Sequence, residues 1–84
     1  MSVKIFVADL PEFAPVIEAV RGSEGVRVVP PKAGYWQLQA PQRITFSRKL
    51  LQVRTALWFA MLSGGYRGRL KEFTREAITI ESED

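Results

Sequence analysis

From residue 64 to 69 the chain reads Gly64-Gly65-Tyr66-Arg67-Gly68-Arg69, and no other stretch has the makings of a ligand loop. Glycines let backbone N–H groups approach an anion, and the two arginines beside them would add charge. The competing reading is a helix C-cap running into a turn, which also favours glycine. Aromatic rings are interleaved with further cations. Tyr35, Trp36, Phe46 and Tyr66 lie among arginines, the mixture that single-stranded nucleic acid uses for stacking and phosphate contact. A chain of 84 residues needs aromatic side chains to fill its core, which assigns Trp36 and Phe46 to packing and leaves Tyr35 and Tyr66 as stacking candidates.

Charge is distributed unevenly. Residues 31 to 71 carry Lys32, Arg43, Arg48, Lys49, Arg54, Arg67, Arg69 and Lys71 and no acid, while both flanking segments are net acidic and bring the total down to +3. Such a segment cannot neutralise itself, so it presents a positive field unless it folds against Glu12, Glu18 or the acidic tail. Most of these cations are arginines, whose flat guanidinium forks fit phosphate or carboxylate in a bidentate manner. Arg43, Arg48, Lys49, Arg54, Arg67, Arg69 and Lys71 are therefore the anion-binding candidates. Solubility, or the acidic tail pairing back onto the basic middle, explains the same charge without a ligand. Gly65-x-x-Gly68 also resembles the loop that clamps nucleic-acid backbone in KH domains. That likeness covers four residues, and a KH loop joins two helices, whereas a helix followed by a strand is expected here.

The sequence contains neither cysteine nor histidine. Disulfides, thiolate and imidazole metal ligands, Ser-His and Cys-His nucleophile pairs and the usual neutral-pH proton shuttle are all missing. Asp9, Glu12, Glu18 and Glu24 are spaced as solvated surface charges, without the pairing that a two-carboxylate mechanism needs. Ser47 and Ser63 have no base in any recognisable motif, and Ser47 before Arg48-Lys49 reads as a turn or helix-entry residue. No nucleotide fingerprint or EF-hand pattern occurs. A protein without catalytic residues, metal or cofactor is the expectation.

These side chains must be positioned by one small domain, since a chain of this length buries only roughly 60–65% of the surface its unfolded form exposes. Alternating Val3, Ile5 and Val7 predict a first strand. Asp9 and Glu12 have capping-box spacing, followed by Phe13, Val16, Ile17 and Val20 on one helical face, with Pro15 either starting the helix or distorting its first turn. Val26, Val28 and Val29 predict a second strand, stopped by Pro30-Pro31. Tyr35 to Gln39 and Arg43 to Phe46 read as an antiparallel hairpin turning at Pro41-Gln42. Leu50 to Leu62 is helical in pattern, with Leu50, Val53, Leu57, Ala60 and Met61 on one stripe and Gly64-Gly65 closing it. Gly68 to Phe73 reads as a strand pairing with Ala77 to Glu81, or Leu70, Phe73 and Ala77 as one face of a short helix over 69–77; the glycine-rich entry and Ile78-Thr79-Ile80 favour two strands with a turn at Thr74-Arg75-Glu76. The fold class is α+β, in the order β-α-β-β-β-α-β-β, with a largely antiparallel sheet, two helices and a frayed acidic end at Ser82-Glu83-Asp84.

Ala56-Leu57-Trp58-Phe59-Ala60-Met61-Leu62 is apolar on every face of the expected helix, so Trp58, Phe59 and Leu62 are candidates for association, as a homodimer or as an accessory subunit. This run is too short to span a bilayer, and the N-terminal apolar run is shorter than a signal peptide's, so a cytoplasmic protein is expected. Two functions fit. The first is a non-enzymatic accessory or regulatory module with a cationic face for an acidic protein partner and an apolar helix for association. The alternative is a domain that binds RNA or single-stranded DNA through the same cations.

Overall fold

Val3, Ile5 and Val7 alternate with Lys4, Phe6 and Ala8, and strand β1 (Val3–Ala8) buries the first set completely while leaving the second half-exposed. A computed structural model describes residues 2–22, 25–51 and 54–83, the side chains of residues 50 and 51 excepted. Val53 and the side chain of Leu50, expected on the helical stripe, therefore lie outside the described residues, as do the side chain of Leu51, Glu24 and Asp84.

After β1 a single 3-10 turn (Pro11–Phe13) leads into helix α1 (Ala14–Arg21). Its face is the one the spacing predicts, with Phe13, Val16, Ile17 and Val20 all buried. Pro15 sits in the first turn, where its missing N–H has no partner to lose. The capping box does not form: no side chain caps α1, and Asp9 Oδ1 accepts a 3.1 Å hydrogen bond from Trp36 Nε1.

Strands β2 (Arg27–Lys32) and β3 (Tyr35–Ala40) follow, joined by a turn at Ala33 and Gly34, both with positive φ. Pro30-Pro31 does not stop β2, which continues through both prolines with a register shift between Val29 and Lys32. The strand tolerates them because it forms the edge of its sheet, where N–H groups on the open side have no ladder to join.

β4 (Arg43–Ser47) corrects the expected hairpin with β3. Both edges of β3 are already occupied, by β1 and β2, so the chain crosses at Pro41-Gln42 into a second sheet. There β4 pairs with β7 (Ala77–Glu81), and the Gln42 carbonyl accepts a 2.8 Å bond from the Ser82 N–H, tying the crossing to the end of β7.

The second helical region is described as two short segments, α2 (Arg48–Leu51) and α3 (Thr55–Ala60), the latter beginning after an extended Arg54. Trp58 and Met61 enter the core, and the Trp58 indole N–H donates to the Thr74 carbonyl at 2.6 Å. A two-residue strand, β5 (Tyr66–Arg67), was not expected; it pairs with β1. β6 (Arg69–Phe73) then pairs with β7 around a turn in which Thr74 Oγ1 accepts from the Glu76 and Ala77 N–H groups, so residues 69 to 81 are the expected two strands.

The α+β order β-α-β-β-β-α-β-β is thus observed, but in two antiparallel sheets, β2-β3-β1-β5 and β4-β7-β6, and with β5 added. The first sheet with α1 has the split β-α-β arrangement, in which parallel strands are separated by an antiparallel one. The inner faces of both sheets join α1, Trp58 and Met61 in one hydrophobic core.

Gly68 makes the corner between β5 and β6. Its φ is +135°, and a Cβ there would lie 2.7 Å from the Glu81 carbonyl oxygen and 2.8 Å from Ile80 Cγ2. Gly68→Ala is expected to lower the urea-unfolding free energy by roughly 1–3 kcal/mol, through strain and collision together. Gly25→Ala has the same kind of positive φ, +80°, but nothing within 4 Å of the added carbon, and should cost less than Gly68→Ala, about 1–2 kcal/mol from the left-handed backbone alone. Equal losses in the two variants would show that the corner is not tight.

Candidate anion-binding face

Lys4 and Phe6 of β1 with Gln37 and Gln39 of β3, all half-exposed, mark the side of the first sheet opposite the buried Val3, Ile5, Leu38 and Ala40. Lys4, Phe6 and Ala8 lie opposite Gln39, Gln37 and Tyr35. Adding β2 and β5 extends this pattern into rows. Arg27, Gln39, Lys4 and Arg67 stand opposite one another in turn and cross all four strands. Val29, Gln37 and Phe6 form the next row, and Lys32, Tyr35 and Ala8 the one beyond. No strand of this sheet contains an acidic residue. Acids nearby lie elsewhere: Asp9 is bound to Trp36, and Asp9 and Glu18 line a cleft beside α1 together with Trp36. Arg21 sits 5.7 Å from the centre of the Trp36 ring, on the helix side of the sheet.

The cation row has no internal compensation. Lys4 and Arg67 are direct cross-strand neighbours, an arrangement that is unfavourable for like charges. Glu83 borders the same shallow cleft as Arg67, with Ser2 and Gly68, but among the described residues neither Lys4, Arg27 nor Arg67 has a carboxylate within 4.0 Å.

The second sheet handles the same problem differently. Glu81 lies between Arg43 and Arg69 in register and accepts from Arg43 at 2.7 Å. The position between Arg27 and Lys4 is filled by Gln39, whose amide Nε2 donates to Gln37 Oε1 at 3.0 Å and carries no charge.

The predicted cations are consequently divided. Arg67 belongs to the first sheet's row, whereas Arg43 and Arg69 flank Glu81 on the second. Arg48 donates from Nη2 to Thr55 Oγ1 at 2.6 Å, Lys49 and Arg54 are exposed around α2 and α3, and Lys71 occupies the irregular step in β6. The stacking candidates separate too: both are exposed, Tyr35 at 40% and Tyr66 at 39%, but Tyr35 is in register with the cationic face while Tyr66 lies opposite Ile5 at the sheet edge. Of the association candidates, Trp58 is fully buried, Leu62 is half-buried, and Phe59 is exposed and stacked on Phe73 at 5.7 Å between ring centres. The helix is therefore not open on every side.

The glycine-rich stretch is structural in detail. The Gly65 N–H donates to the Leu62 carbonyl and its own carbonyl accepts from Phe6, so neither group is directed at a ligand. A Cβ on Gly64 would collide with the Phe6 carbonyl oxygen and lie 2.8 Å from Tyr35 Cε1. The segment connects α3 to a strand, unlike the two-helix setting of a KH loop.

Lys4, Phe6, Arg27, Gln37 and Gln39 are the site residues that sequence reasoning missed. Lys4 and Arg27 fall outside the acid-free segment, and only the strand register brings them beside Arg67. Alternation within β1 carried the available signal, because it puts Lys4, Phe6 and Ala8 on the face opposite the valines. Among the described residues there is no cluster of acidic, histidine or cysteine side chains able to hold a metal ion, no buried charged or polar residue, and no helix long and apolar enough to cross a membrane. Comparison with protein-family models and with curated proteins finds no match.

Gln39→Glu places a carboxylate between Arg27 and Lys4, as Glu81 stands between Arg43 and Arg69, and Gln37 can turn its amide to donate to it. The free protein is expected to gain up to about 1 kcal/mol in urea unfolding at low ionic strength. The gain should shrink once the screening length falls below about 10 Å, near 0.1 M salt. A loss of stability at low salt would contradict the unneutralised row.

Proposed function

We propose that the chain is a non-enzymatic binding module that engages nucleic acid through the outer face of its first sheet. One observation carries this reading: Arg27, Lys4 and Arg67 stand in a single acid-free row across four strands, with a neutral amide where a neutralising acid could sit. A flat face bearing several cations and two aromatic side chains suits a repeating polyanion better than a single small anion, which would need an enclosed pocket. The absence of cysteine and histidine from the sequence supports a role without catalysis, and the lack of cysteine also supports a cytoplasmic setting. An acidic protein is the other partner that such a row could meet, and the experiment below separates the two.

Anisotropy titration of fluorescent oligonucleotides across a range of salt concentrations tests the proposal. Three phosphate contacts to a single strand predict a slope of about −2 in log affinity against log salt, from roughly 0.7 per contact. Lys4→Gln and Arg67→Gln should each weaken binding and flatten the slope by about 0.7. Gln39→Glu should weaken binding as well, although it leaves every cation in place. Arg43→Gln, which removes a cation already paired with Glu81 on the other sheet, should change neither affinity nor slope. Failure of any oligonucleotide to bind at about 10 mM salt, where electrostatic binding is strongest, would eliminate nucleic acid and leave an acidic protein.

A further inference from the structure

We infer that the nucleic acid bound by this face is single-stranded, with Phe6 and Tyr35 as the platforms on which two of its bases stack. The inference rests on the nucleic-acid reading above and adds the class of strand and the residues that hold its bases.

Phe6 is a large apolar side chain on a central strand, yet it is not part of the core and does not pack against it; Val29 of the same row is in the same position. Both are half-buried. Tyr35 is exposed on one side and backed on the other by Gly64, where the lack of a side chain lets Cδ1 and Cε1 of the ring settle against the backbone. An apolar ring with water on one side and firm backing on the other is what a base requires for stacking.

The spacing then selects the form of the ligand. Phe6 is opposite Gln37, and Tyr35 lies two residues further along β3, so the two aromatic residues are diagonal neighbours about 7–8 Å apart. Bases stacked within a strand are separated by about 3.4 Å, so neighbouring bases cannot lie on both rings and on each other. They must be splayed, with their faces free, which a duplex does not offer. The cation row runs one strand repeat away, about 6.7 Å from the row of Phe6, so a backbone following Arg27, Lys4 and Arg67 would have its bases over the rings. Gln39 in the cation row bonds to Gln37 in the row of Phe6, which leaves Gln37 Nε2 and Gln39 Oε1 without a partner among the described residues and able to meet base edges.

Affinities of the full chain for a ribo-oligonucleotide, for the deoxy strand of the same sequence and for the corresponding duplex test the inference. Both single strands should bind more tightly than the duplex, and the ratio between them reports any use of the ribose 2′-hydroxyl. Phe6→Leu and Tyr35→Leu should each weaken single-strand binding roughly 5- to 150-fold while leaving the salt slope unchanged, because stacking releases no counterions. Phe6→Tyr, which keeps a ring, should retain most of the affinity and guards against a mere folding defect. Duplex binding equal to or tighter than single-strand binding, or wild-type affinity in both leucine variants, would overturn the inference. If Lys4→Gln and Arg67→Gln still weakened binding in that case, the nucleic-acid reading would stand without it. If nothing bound at low salt, the earlier reading would fail and this inference with it.

Discussion

A chain that passes from one sheet into another across a single residue must press its backbone against the neighbouring strand, and Gly68 is where this happens. On one side β5 is held by β1, on the other β6 is held by β7, and the Glu81 carbonyl occupies the space a side chain would need. Such a tight corner lets two small sheets share one core, which a chain of 84 residues needs because it cannot fill two. It also decides where charge can go. With the inner faces apolar and α1 packed against them, the outer faces are left to carry the cations, and Arg67 and Arg69 flank the corner from opposite sheets.

Much of this fold is legible in the sequence because its signals are local. Alternation places Val3, Ile5 and Val7 inside, the helical spacing of Phe13, Val16, Ile17 and Val20 picks out the buried face of α1, and Ile78-Thr79-Ile80 with the Thr74 turn marks the last hairpin. The misreadings concern competition among partners. Tyr35 to Phe46 looks like a hairpin because two strand-like runs flank Pro41-Gln42, but pairing depends on which edges are free, and β3 is claimed by β1 and β2. The prolines of β2 read as a stop because a central strand could not hold them; at a sheet edge the objection lapses. Asp9 has the spacing to cap α1 but bonds to Trp36, a partner 27 residues away that no local pattern could supply.

The site is harder to read than the fold for the same reason. A basic window in the sequence invites the view that its cations gather together, yet Arg43, Arg48, Arg67 and Lys71 go to different elements. What does gather comes from four separate places in the chain: Lys4 in β1, Arg27 in β2, Gln39 in β3 and Arg67 in β5, brought opposite one another by strand register alone. Glycines at 64, 65 and 68 imitate a ligand loop because close backbone approach demands the same residue in both settings. Here the approach is to the protein's own carbonyls and to the Tyr35 ring.

The two sheets together offer an internal control on what the cationic row means. Each has cations at matching register positions on its outer face. On the second sheet Glu81 stands between Arg43 and Arg69 in register and pairs with Arg43 at 2.7 Å, so one carboxylate offsets part of that row's positive charge within the protein. On the first sheet the equivalent position is Gln39, which is isosteric with glutamate but neutral, and Lys4 faces Arg67 without relief. The two faces thus differ at one register position, a glutamate on the second sheet and an uncharged amide on the first. The cross-strand repulsion it leaves behind is a standing cost of up to about 1 kcal/mol in the free protein. On the proposed function, an anion laid along the row would remove that repulsion as it binds, and its affinity would include the strain relieved.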